Sequence, residues 1–173
     1  MLIPQQLPQE LKSKLRRIKL LVLDVDGTLT DGGIFVGHDG NEFKRFDSQD
    51  GQGILLLQSE WKVEVVFLSG RKSEPVEIRA RELGVTAIQG HRKKESALLE
   101  IIADRSLTKE SVAIMGDDLS DLEIVQFAAI SFAPANAIQA LKQKVDYVTE
   151  RSGGYGAVRE VCDCIVSAKA TIL

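Results

Sequence analysis

Two groups of aspartates carry the chemistry that this sequence could perform, and each follows a short apolar run. Asp24 and Asp26 come after the run 20–23, and Asp117 comes after the run 112–115. Residues two apart in an extended chain point the same way, so Asp24 and Asp26 can face one site. Carboxylates gathered there resist joint ionisation unless a cation lies between them. A hard divalent ion meets that need, and Mg²⁺ suits a site that also keeps waters and a phosphate.

The second acidic group has a simpler alternative explanation. Asp117, Asp118 and Asp121 stand where a helix is predicted to begin, and aspartate commonly caps a helix start. Capping suits Asp118 better than Asp117, because Asp117 stands closest to the end of the preceding strand. We therefore expect Asp117 to face the cation.

Phosphoryl transfer is the reaction that such a site fits. A phosphomonoester is dianionic and repels an anionic nucleophile, so a metal and a cation such as Lys94 must neutralise the charge. A carboxylate nucleophile divides the displacement into two easier steps, and a second carboxylate can carry the proton. Taken singly, Ser69 could be an ordinary strand-to-loop residue, and Lys94 could be a surface charge beside Arg92 and Lys93. Their order along the chain favours the catalytic interpretation.

Strand-like and helical segments alternate along the chain, which predicts an α/β fold with a doubly wound parallel sheet. Strands are predicted at 20–23, 63–68, 85–88, 112–115, 129–132 and 146–148. Helices are predicted near the N-terminus and at 53–59, 74–83, 94–104, 119–127, 136–142 and 156–168. The stretch 33–46 breaks the alternation, and its Asp39-Gly40 pair predicts a protruding β-hairpin. We expect one domain, residues 1–173.

Bulk properties narrow the classes of partner. The chain has 173 residues and a net charge of −3, which leaves no basic footprint for nucleic acid. No apolar run reaches the roughly 18 residues of a membrane helix. The N-terminal stretch 1–17 lacks the apolar core of a secretory signal. Cys162 and Cys164 point to different sides of a predicted helix, so we expect reduced thiols in a cytoplasmic protein.

The ordered motifs resemble the haloacid dehalogenase-like phosphatase superfamily. The matching pieces are Asp24-x-Asp26-Gly-Thr, Ser69-Gly70, Lys94 and Gly116-Asp117-Asp118-x-x-Asp121. The resemblance implies that Asp24 is the nucleophile and forms an aspartyl-phosphate, while Asp26 protonates the leaving alkoxide and later activates water. It also implies that Mg²⁺ is held by Asp24, the backbone carbonyl of Asp26, and Asp117. Ser69 and Lys94 would bind the phosphoryl oxygens.

Neither gap in which this superfamily inserts a cap domain has room for one here. The stretch 31–69 accommodates a hairpin, a helix and a strand, and the stretch 69–94 accommodates one helix and one strand. Within the superfamily, the sequence is similar to the 3-deoxy-D-manno-octulosonate 8-phosphate phosphatase family. The matching segments are 24–32, 50–54, 70–72, 89–94, 116–121 and 153–162. That family forms tetramers in which hairpins meet at the centre and neighbours cover the active sites, which implies this role for 33–46.

The same resemblance implies a site for a small sugar phosphate that includes Thr28, Asp50, Gly70, Arg71 and Arg79. Arg71 would contact the sugar acid, and Arg79 would reach the substrate carboxylate of a neighbouring subunit. An arginine suits this task because its planar fork pairs with a carboxylate through two hydrogen bonds. The alternative for both arginines is an ordinary surface salt bridge.

Two departures from the family pattern bear on the substrate. Gln49 stands where the family usually has arginine, and Ser69 replaces a commoner threonine with the hydroxyl kept. The alternative substrate is a nonulosonate (sialic-acid type) 9-phosphate, whose phosphatases share the scaffold. Those enzymes often carry glutamate at the position of Arg71, so Arg71 favours the octulosonate. The glycine-rich stretch 152–156 lacks the nucleotide-binding patterns and favours a tail that folds over a site.

Three other functions are compatible with clustered aspartates. A phosphorylated signalling receiver also has a parallel sheet, but its accepting aspartate follows a later strand than Asp24 does. A non-catalytic regulatory domain of the same superfamily would have lost motif aspartates that this chain keeps. A phosphotransferase or mutase would use the same chemistry and pass the phosphoryl group to a sugar.

Overall fold

The computed structural model describes residues 7–170, and their centre is a six-stranded parallel sheet. Along the sheet, the strands lie in the order β5-β4-β1-β6-β7-β8. Their bounds are β1 Leu20–Leu23, β4 Glu64–Ser69, β5 Thr86–Gln89, β6 Val112–Met115, β7 Ile130–Ala133 and β8 Tyr147–Val148. The predicted α/β doubly wound sheet is confirmed. Residues 1–6 and 171–173 of the predicted domain lie outside the described residues. The beginning of the N-terminal stretch 1–17 lies outside them as well.

Helices cover both faces of this sheet. They are α1 Gln9–Arg16, α2 Ser48–Trp61, α3 Glu74–Leu83, α4 Lys94–Asp104, α5 Leu119–Leu122, α6 Gln139–Lys142 and α7 Ala157–Ala170. Short 3₁₀ turns occur at Lys109–Ser111 and Val125–Phe127. Among residues 7–170, no helix combines the length and apolar character needed to cross a bilayer.

Alternation along the strands builds two separate hydrophobic cores. In β1, Leu21 and Leu23 pack with α2 and α7 on one face, while Leu20 and Val22 pack with α4 on the other. Side chains of an extended strand alternate between faces, so a wholly apolar strand must be covered on both sides. This double burial fixes β1 at the centre of the sheet and fixes where the chain leaves it.

Three predicted helices differ most from the structure in their bounds. The helix predicted at 53–59 begins earlier, at Ser48, because the Asp47 side chain accepts a hydrogen bond from Gln49 N and caps it. The helix predicted at 119–127 ends at Leu122, and a separate 3₁₀ turn follows at Val125–Phe127. The helix predicted from 136 begins at Gln139, because the Asn136 side chain hydrogen-bonds to the backbones of Gly27 and Gly153.

A hairpin protrudes from the sheet as predicted for 33–46. Its strands are β2 Phe35–Val36 and β3 Glu42–Phe43, paired antiparallel as a second, two-stranded sheet. Between Ser69 and Lys94 the chain forms only α3 and β5, so no cap is inserted there. The two cysteines are free and buried in α7, as expected for reduced thiols.

Candidate active site

The order of the strands places the two aspartate groups side by side. β1 pairs in parallel with β6, and Leu23 lies opposite Met115 at their carboxyl ends. The chain passes from β1 to β4 and β5 on one side and then returns to β6 on the other, so a crevice opens at this reversal. Asp24 directly follows β1, and its N–H donates to Met115 O at 2.9 Å. Asp117 leaves β6 one residue later, at the same edge.

Three carboxylates converge in this crevice. One oxygen from each of Asp24, Asp117 and Asp121 lies within 4.8 Å of the others. Burial and the charge of Asp121 raise the pKa of Asp24 to about 6, although Lys94 opposes the shift. Burial, Asp24 and Asp121 together raise the pKa of Asp117 to about 8. The cluster is therefore short of positive charge.

Lys94 is the cation that faces this cluster. Its side chain is 2% exposed, and Nζ lies 2.5 Å from Asp24 Oδ1 and 2.6 Å from Asp121 Oδ1. Burial alone would lower the pKa of Lys94, but the two carboxylates outweigh burial and raise it. Arg92 and Lys93 are exposed, so the surface-charge alternative holds for them and is wrong for Lys94. Lys94 is the first residue of α4, which aims it into the crevice.

Asp118 and Asp121 organise the loop that carries Asp117. Asp118 is the N-cap of α5 and accepts from Leu119 N, so the capping alternative is confirmed for Asp118. Asp121 Oδ2 accepts from the backbone N–H groups of Asp117 and Asp118 at 3.1 and 3.2 Å. Asp121 thus fixes the Asp117 loop with one oxygen and binds Lys94 with the other. Asp121 was recognised as part of the acidic motif, but the sequence alone did not predict a role for it in the site.

Gly27 allows the Asp117 carboxylate to approach the backbone that follows Asp26. Gly27 has φ +96, and a Cβ built on it would lie 2.0 Å from Asp117 Oδ2. Only glycine fits, because both the positive φ and the lack of space exclude a side chain. The carboxylate of Asp117 therefore lies directly against the turn between Asp26 and Thr28.

Ser69, Gly70 and Arg71 form the next side of the crevice, at the end of β4. Ser69 is buried, and its Oγ accepts from Arg71 N at 3.2 Å. The Arg71 guanidinium lies 3.7 Å from Asp26 Oδ2 and 3.2 Å from Glu42 Oε1. Arg71 therefore lies beside Asp26. The resemblance predicted that this arginine contacts the sugar acid.

Lys44, at the base of the hairpin, is a residue of this site that we did not predict. Its side chain has no exposed surface, and Nζ contacts Asp26 Oδ1 directly. Nζ also lies 3.1 Å from Glu42 Oε1. The sequence offered only a weak signal, namely a charged residue at every second position, 42 and 44, in a strand-like stretch.

Thr28 is buried in the loop after β1, and two other predicted substrate residues, Asp50 and Arg79, make contacts within this chain. Thr28 Oγ1 is buried with no partner among the described residues. Asp50 is 1% exposed and accepts from Arg159 N at 2.7 Å, which favours a structural role in holding α7 over a contact with substrate. Arg79 pairs with Glu82 at 2.7 Å and lies over the Phe46 ring. Within this chain, its contacts are with the hairpin base and α3.

The glycine-rich stretch 152–156 folds against the loop after β1 of its own chain. Asn136 Nδ2 donates to Gly27 O at 2.9 Å, and Asn136 Oδ1 accepts from Gly153 N at 2.6 Å. A Cβ on Gly153 would lie 1.8 Å from Gly27 O, so the two backbones touch. Gln49, the departure from the family pattern, accepts from Arg151 Nη1 at 2.9 Å. A guanidinium therefore lies beside position 49 although that residue is neutral.

The predicted cofactor, Mg²⁺, fits this cluster. Asp117 Oδ1 is buried and has no hydrogen-bond partner within residues 7–170. Such an orphaned acceptor is costly unless a ligand satisfies it. The donors are all carboxylate oxygens, which Mg²⁺ prefers, and Lys94 alone leaves them with excess negative charge. A divalent ion would satisfy both the free oxygen and the charge.

We expect the metal-free protein to lose stability as pH rises from about 4 to about 8. The pKa values of Asp24 and Asp117, about 6 and about 8, exceed the ordinary 3.8, so the folded state holds protons that the unfolded state has released. This contribution to stability is complete below about pH 4 and is lost as pH rises through about 8. Mg²⁺ binds ionised carboxylates, so its stabilising effect should grow over the same range.

Thermal unfolding with and without Mg²⁺ measures this effect. We expect Mg²⁺ to raise Tm by about 5 °C near pH 8 and by about 1 °C near pH 5. In Asp117→Asn, which keeps the shape of the side chain, most of that difference should disappear. An equal Mg²⁺ shift at both pH values, or an undiminished shift in Asp117→Asn, would show that the ion binds elsewhere.

Comparison with known proteins agrees with the motifs and the geometry. Residues 85–160 match the model of the haloacid dehalogenase-like hydrolase family. The chain is 41% identical over 165 residues to the 3-deoxy-D-manno-octulosonate 8-phosphate phosphatase KdsC of Escherichia coli, covering 94% of this chain and 87% of that protein. It is 42% identical over 153 residues to KdsC of Yersinia pestis, covering 88% and 81%.

Solved structures give the same result. A crystal structure of 3-deoxy-D-manno-octulosonate 8-phosphate phosphatase from Yersinia pestis has a TM-score of 0.93 and 38% identity, covering 96% of this chain and 90% of that chain. The enzyme from Moraxella catarrhalis, in complex with magnesium, phosphate and KDO, has a TM-score of 0.90 and 37% identity, covering 94% and 93%. This chain therefore belongs to the 3-deoxy-D-manno-octulosonate 8-phosphate phosphatase family of haloacid dehalogenase-like hydrolases.

Proposed function

We propose that this protein hydrolyses 3-deoxy-D-manno-octulosonate 8-phosphate to the free sugar acid and phosphate. The observation that carries the proposal is the cluster of Asp24, Asp117 and Asp121 carboxylates within 4.8 Å, with Lys94 bonded to Asp24. A site that concentrates carboxylates around a cation and opens at a sheet edge suits a phosphate ester held by a divalent ion. Membership of the phosphatase family supports the choice of sugar acid.

In the proposed reaction, Asp24 is the nucleophile. Its carboxylate attacks phosphorus, the bond from phosphorus to the sugar oxygen breaks, and an aspartyl-phosphate forms. Asp26 gives its proton to the departing sugar oxygen. It then takes a proton from a water that attacks the aspartyl-phosphate, which releases phosphate and restores Asp24. Both protons are accounted for by one residue, so the site returns to its starting state.

The remaining residues bind and neutralise the phosphoryl group. Lys94 screens the charge of Asp24 during attack, and the buried Ser69 hydroxyl lies at the adjacent strand end to receive a phosphoryl oxygen. Asp24, the backbone carbonyl of Asp26, and Asp117 would hold Mg²⁺. When bound, that ion supplies positive charge for the phosphoryl oxygens.

We also propose that Thr28, Gly70 and Arg71 contact the sugar. The half-exposed Arg71 guanidinium beside Asp26 supports this, and the buried Thr28 Oγ1 has no partner among the described residues. Asp50 is not included, because its carboxylate accepts a hydrogen bond from Arg159 N in α7.

The proposed assembly is a homotetramer in which a neighbouring subunit covers each active site. Each chain would contribute one domain, residues 1–173. The hairpin supports it, since Phe35, Val36 and Phe43 are all more than half exposed. Arg79 lines a cavity of about 830 Å³ between the hairpin and α3, which a neighbour could enter. The free cysteines support a cytoplasmic location.

Phosphate release from a panel of sugar phosphates, with Mg²⁺ present, tests the proposed function. The panel includes the octulosonate 8-phosphate, a nonulosonate 9-phosphate and neutral hexose phosphates. We expect kcat/KM for the octulosonate ester to exceed that for neutral sugars by about 10²-fold or more, since one well-placed charged contact contributes that much. A preference for the nonulosonate ester would replace the substrate, and comparable rates on unrelated sugars would overturn the narrow assignment.

A further inference from the structure

Four charged side chains, Asp26 among them, form one group of ion pairs. Lys44 contacts Asp26 Oδ1 and lies 3.1 Å from Glu42 Oε1. Arg71 lies 3.2 Å from the same Glu42 oxygen and 3.7 Å from Asp26 Oδ2. Two of these residues come from the hairpin, one from the loop after β1 and one from the loop after β4. Three separate parts of the chain therefore meet at the Asp26 carboxylate.

The alternation of β3, continued by one residue beyond its end, points Lys44 inward. Glu42 and Lys44 are two apart in extended chain and face the protein, whereas Phe43 between them is 65% exposed. A lysine with no exposed side-chain surface is costly unless its charge is paired, and here two carboxylates pair it. This burial makes the contact with Asp26 a built feature of the hairpin base.

The contacts within this group fix the geometry of the Asp26 side chain. Two basic side chains, Lys44 and Arg71, face two acidic ones, Asp26 and Glu42. Lys44 holds Oδ1 of Asp26, while Oδ2 lies 3.7 Å from Arg71 Nη1, beyond hydrogen-bond distance. One oxygen of the carboxylate is thereby fixed, and the other is left to exchange a proton.

We propose that Lys44 is a positioning residue that fixes the Asp26 carboxylate so that Oδ2 meets the oxygen of the departing sugar. This inference rests on the proposed function, in which Asp26 protonates that oxygen. A proton donor must lie within hydrogen-bond reach of its acceptor, and a carboxylate free to rotate would spend little time there. The hairpin thus acts on the reaction directly, through Lys44, as well as carrying exposed apolar residues.

The test compares leaving groups in Lys44→Met. Methionine keeps an unbranched, buried side chain and removes the ammonium. An alkyl ester such as the sugar phosphate needs a proton on its leaving oxygen, whereas 4-nitrophenyl phosphate releases a far more acidic alcohol and needs it much less. Because general-acid catalysis contributes at least about 10²-fold, we expect kcat/KM to fall by about 10²-fold for the sugar phosphate and less than about threefold for the nitrophenyl ester.

The ratio of the two kcat/KM values carries the result. It reports the step in which the sugar oxygen leaves and is independent of the folded fraction, so partial unfolding cannot imitate it. Asp26→Asn should show the same selective loss, and exposed Lys144→Met, which precedes β8 at the opposite edge of the sheet, should show none. If Lys44→Met does not fold, Glu42→Gln removes the second partner of Lys44 and should give a smaller selective loss.

Three results would decide against the inference. An equal fall for both esters would show that Lys44 binds the phosphoryl group instead, and no fall would show that it is structural. Selectivity in Asp26→Asn without selectivity in Lys44→Met would leave Asp26 as the proton donor and remove Lys44 from its positioning. Absence of any phosphatase activity in the unmodified protein would instead overturn the proposed function itself.

Discussion

Asp24→Asn is expected to lower kcat by about 10⁴-fold or more, the range found when a reacting group is removed. Asparagine keeps the shape of the side chain but offers a neutral amide oxygen, which is a poor nucleophile toward phosphorus. Lys94 retains Asp121 as a partner at 2.6 Å, so the buried cation stays paired and the protein should remain folded. Phosphate release in saturating substrate and Mg²⁺ measures the loss, with circular dichroism as the check on folding.

Asp118→Asn is the matched control for this substitution. Asp118 is exposed and caps α5, and asparagine caps a helix about as well as aspartate. Its activity should stay within about twofold of the unmodified protein, because the site chemistry is untouched. Activity in Asp24→Asn above about a tenth of the original, or an equal loss in Asp118→Asn, would mean that Asp24 is not the nucleophile.

Lys94→Met is expected to produce the second largest effect, on both stability and rate. Its ammonium is the described cation that directly contacts Asp24 and Asp121, and removing one partner of a buried pair costs about 3 kcal/mol or more of unfolding free energy. The rate should fall by about 10³-fold, as when one preorganised charge at the reacting centre is removed. Urea unfolding in chelator and in Mg²⁺ should show a smaller stability loss with the metal, because the ion replaces part of the missing charge.

Lys93→Met provides the comparison for Lys94. Lys93 is the adjacent residue, is exposed, and makes no side-chain capping bond to α4. In Lys93→Met, the free energy of unfolding and the activation free energy of the reaction should each change by no more than about 0.5 kcal/mol. Should Lys94→Met keep both full stability and full rate, the buried cation would have no part in balancing the cluster.

The sequence was sufficient to predict the aspartates that directly follow strands. Asp24 and Asp117 could be placed because a wholly apolar run before each predicts a buried strand, and parallel strands end at one edge. Lys94 could be placed only by its order among the motifs, since its own neighbours, Arg92 and Lys93, are exposed. Its burial depends on α4 packing over the sheet, which no local pattern records.

Residues that depend on distant contacts were missed or misplaced. Lys44 reaches Asp26 only because the hairpin folds back onto the loop after β1. Asn136 was predicted inside a helix, but it joins Gly27 to Gly153, residues far apart in the chain. Asp50 matched a family motif, and that motif gave no sign of its hydrogen bond from Arg159 N in α7. In each case a tertiary contact overrode the local pattern.

The covalent step is the central claim, and mass spectrometry of the protein quenched in acid during turnover tests it most directly. Acid preserves an acyl-phosphate long enough for the peptide that carries it to be identified. With Mg²⁺ and substrate present, phosphate should be found on Asp24, and it should be absent from Asp24→Asn and from protein in chelator. Phosphate on another side chain, or rapid turnover by Asp24→Asn with no modified peptide, would contradict the proposed chemistry.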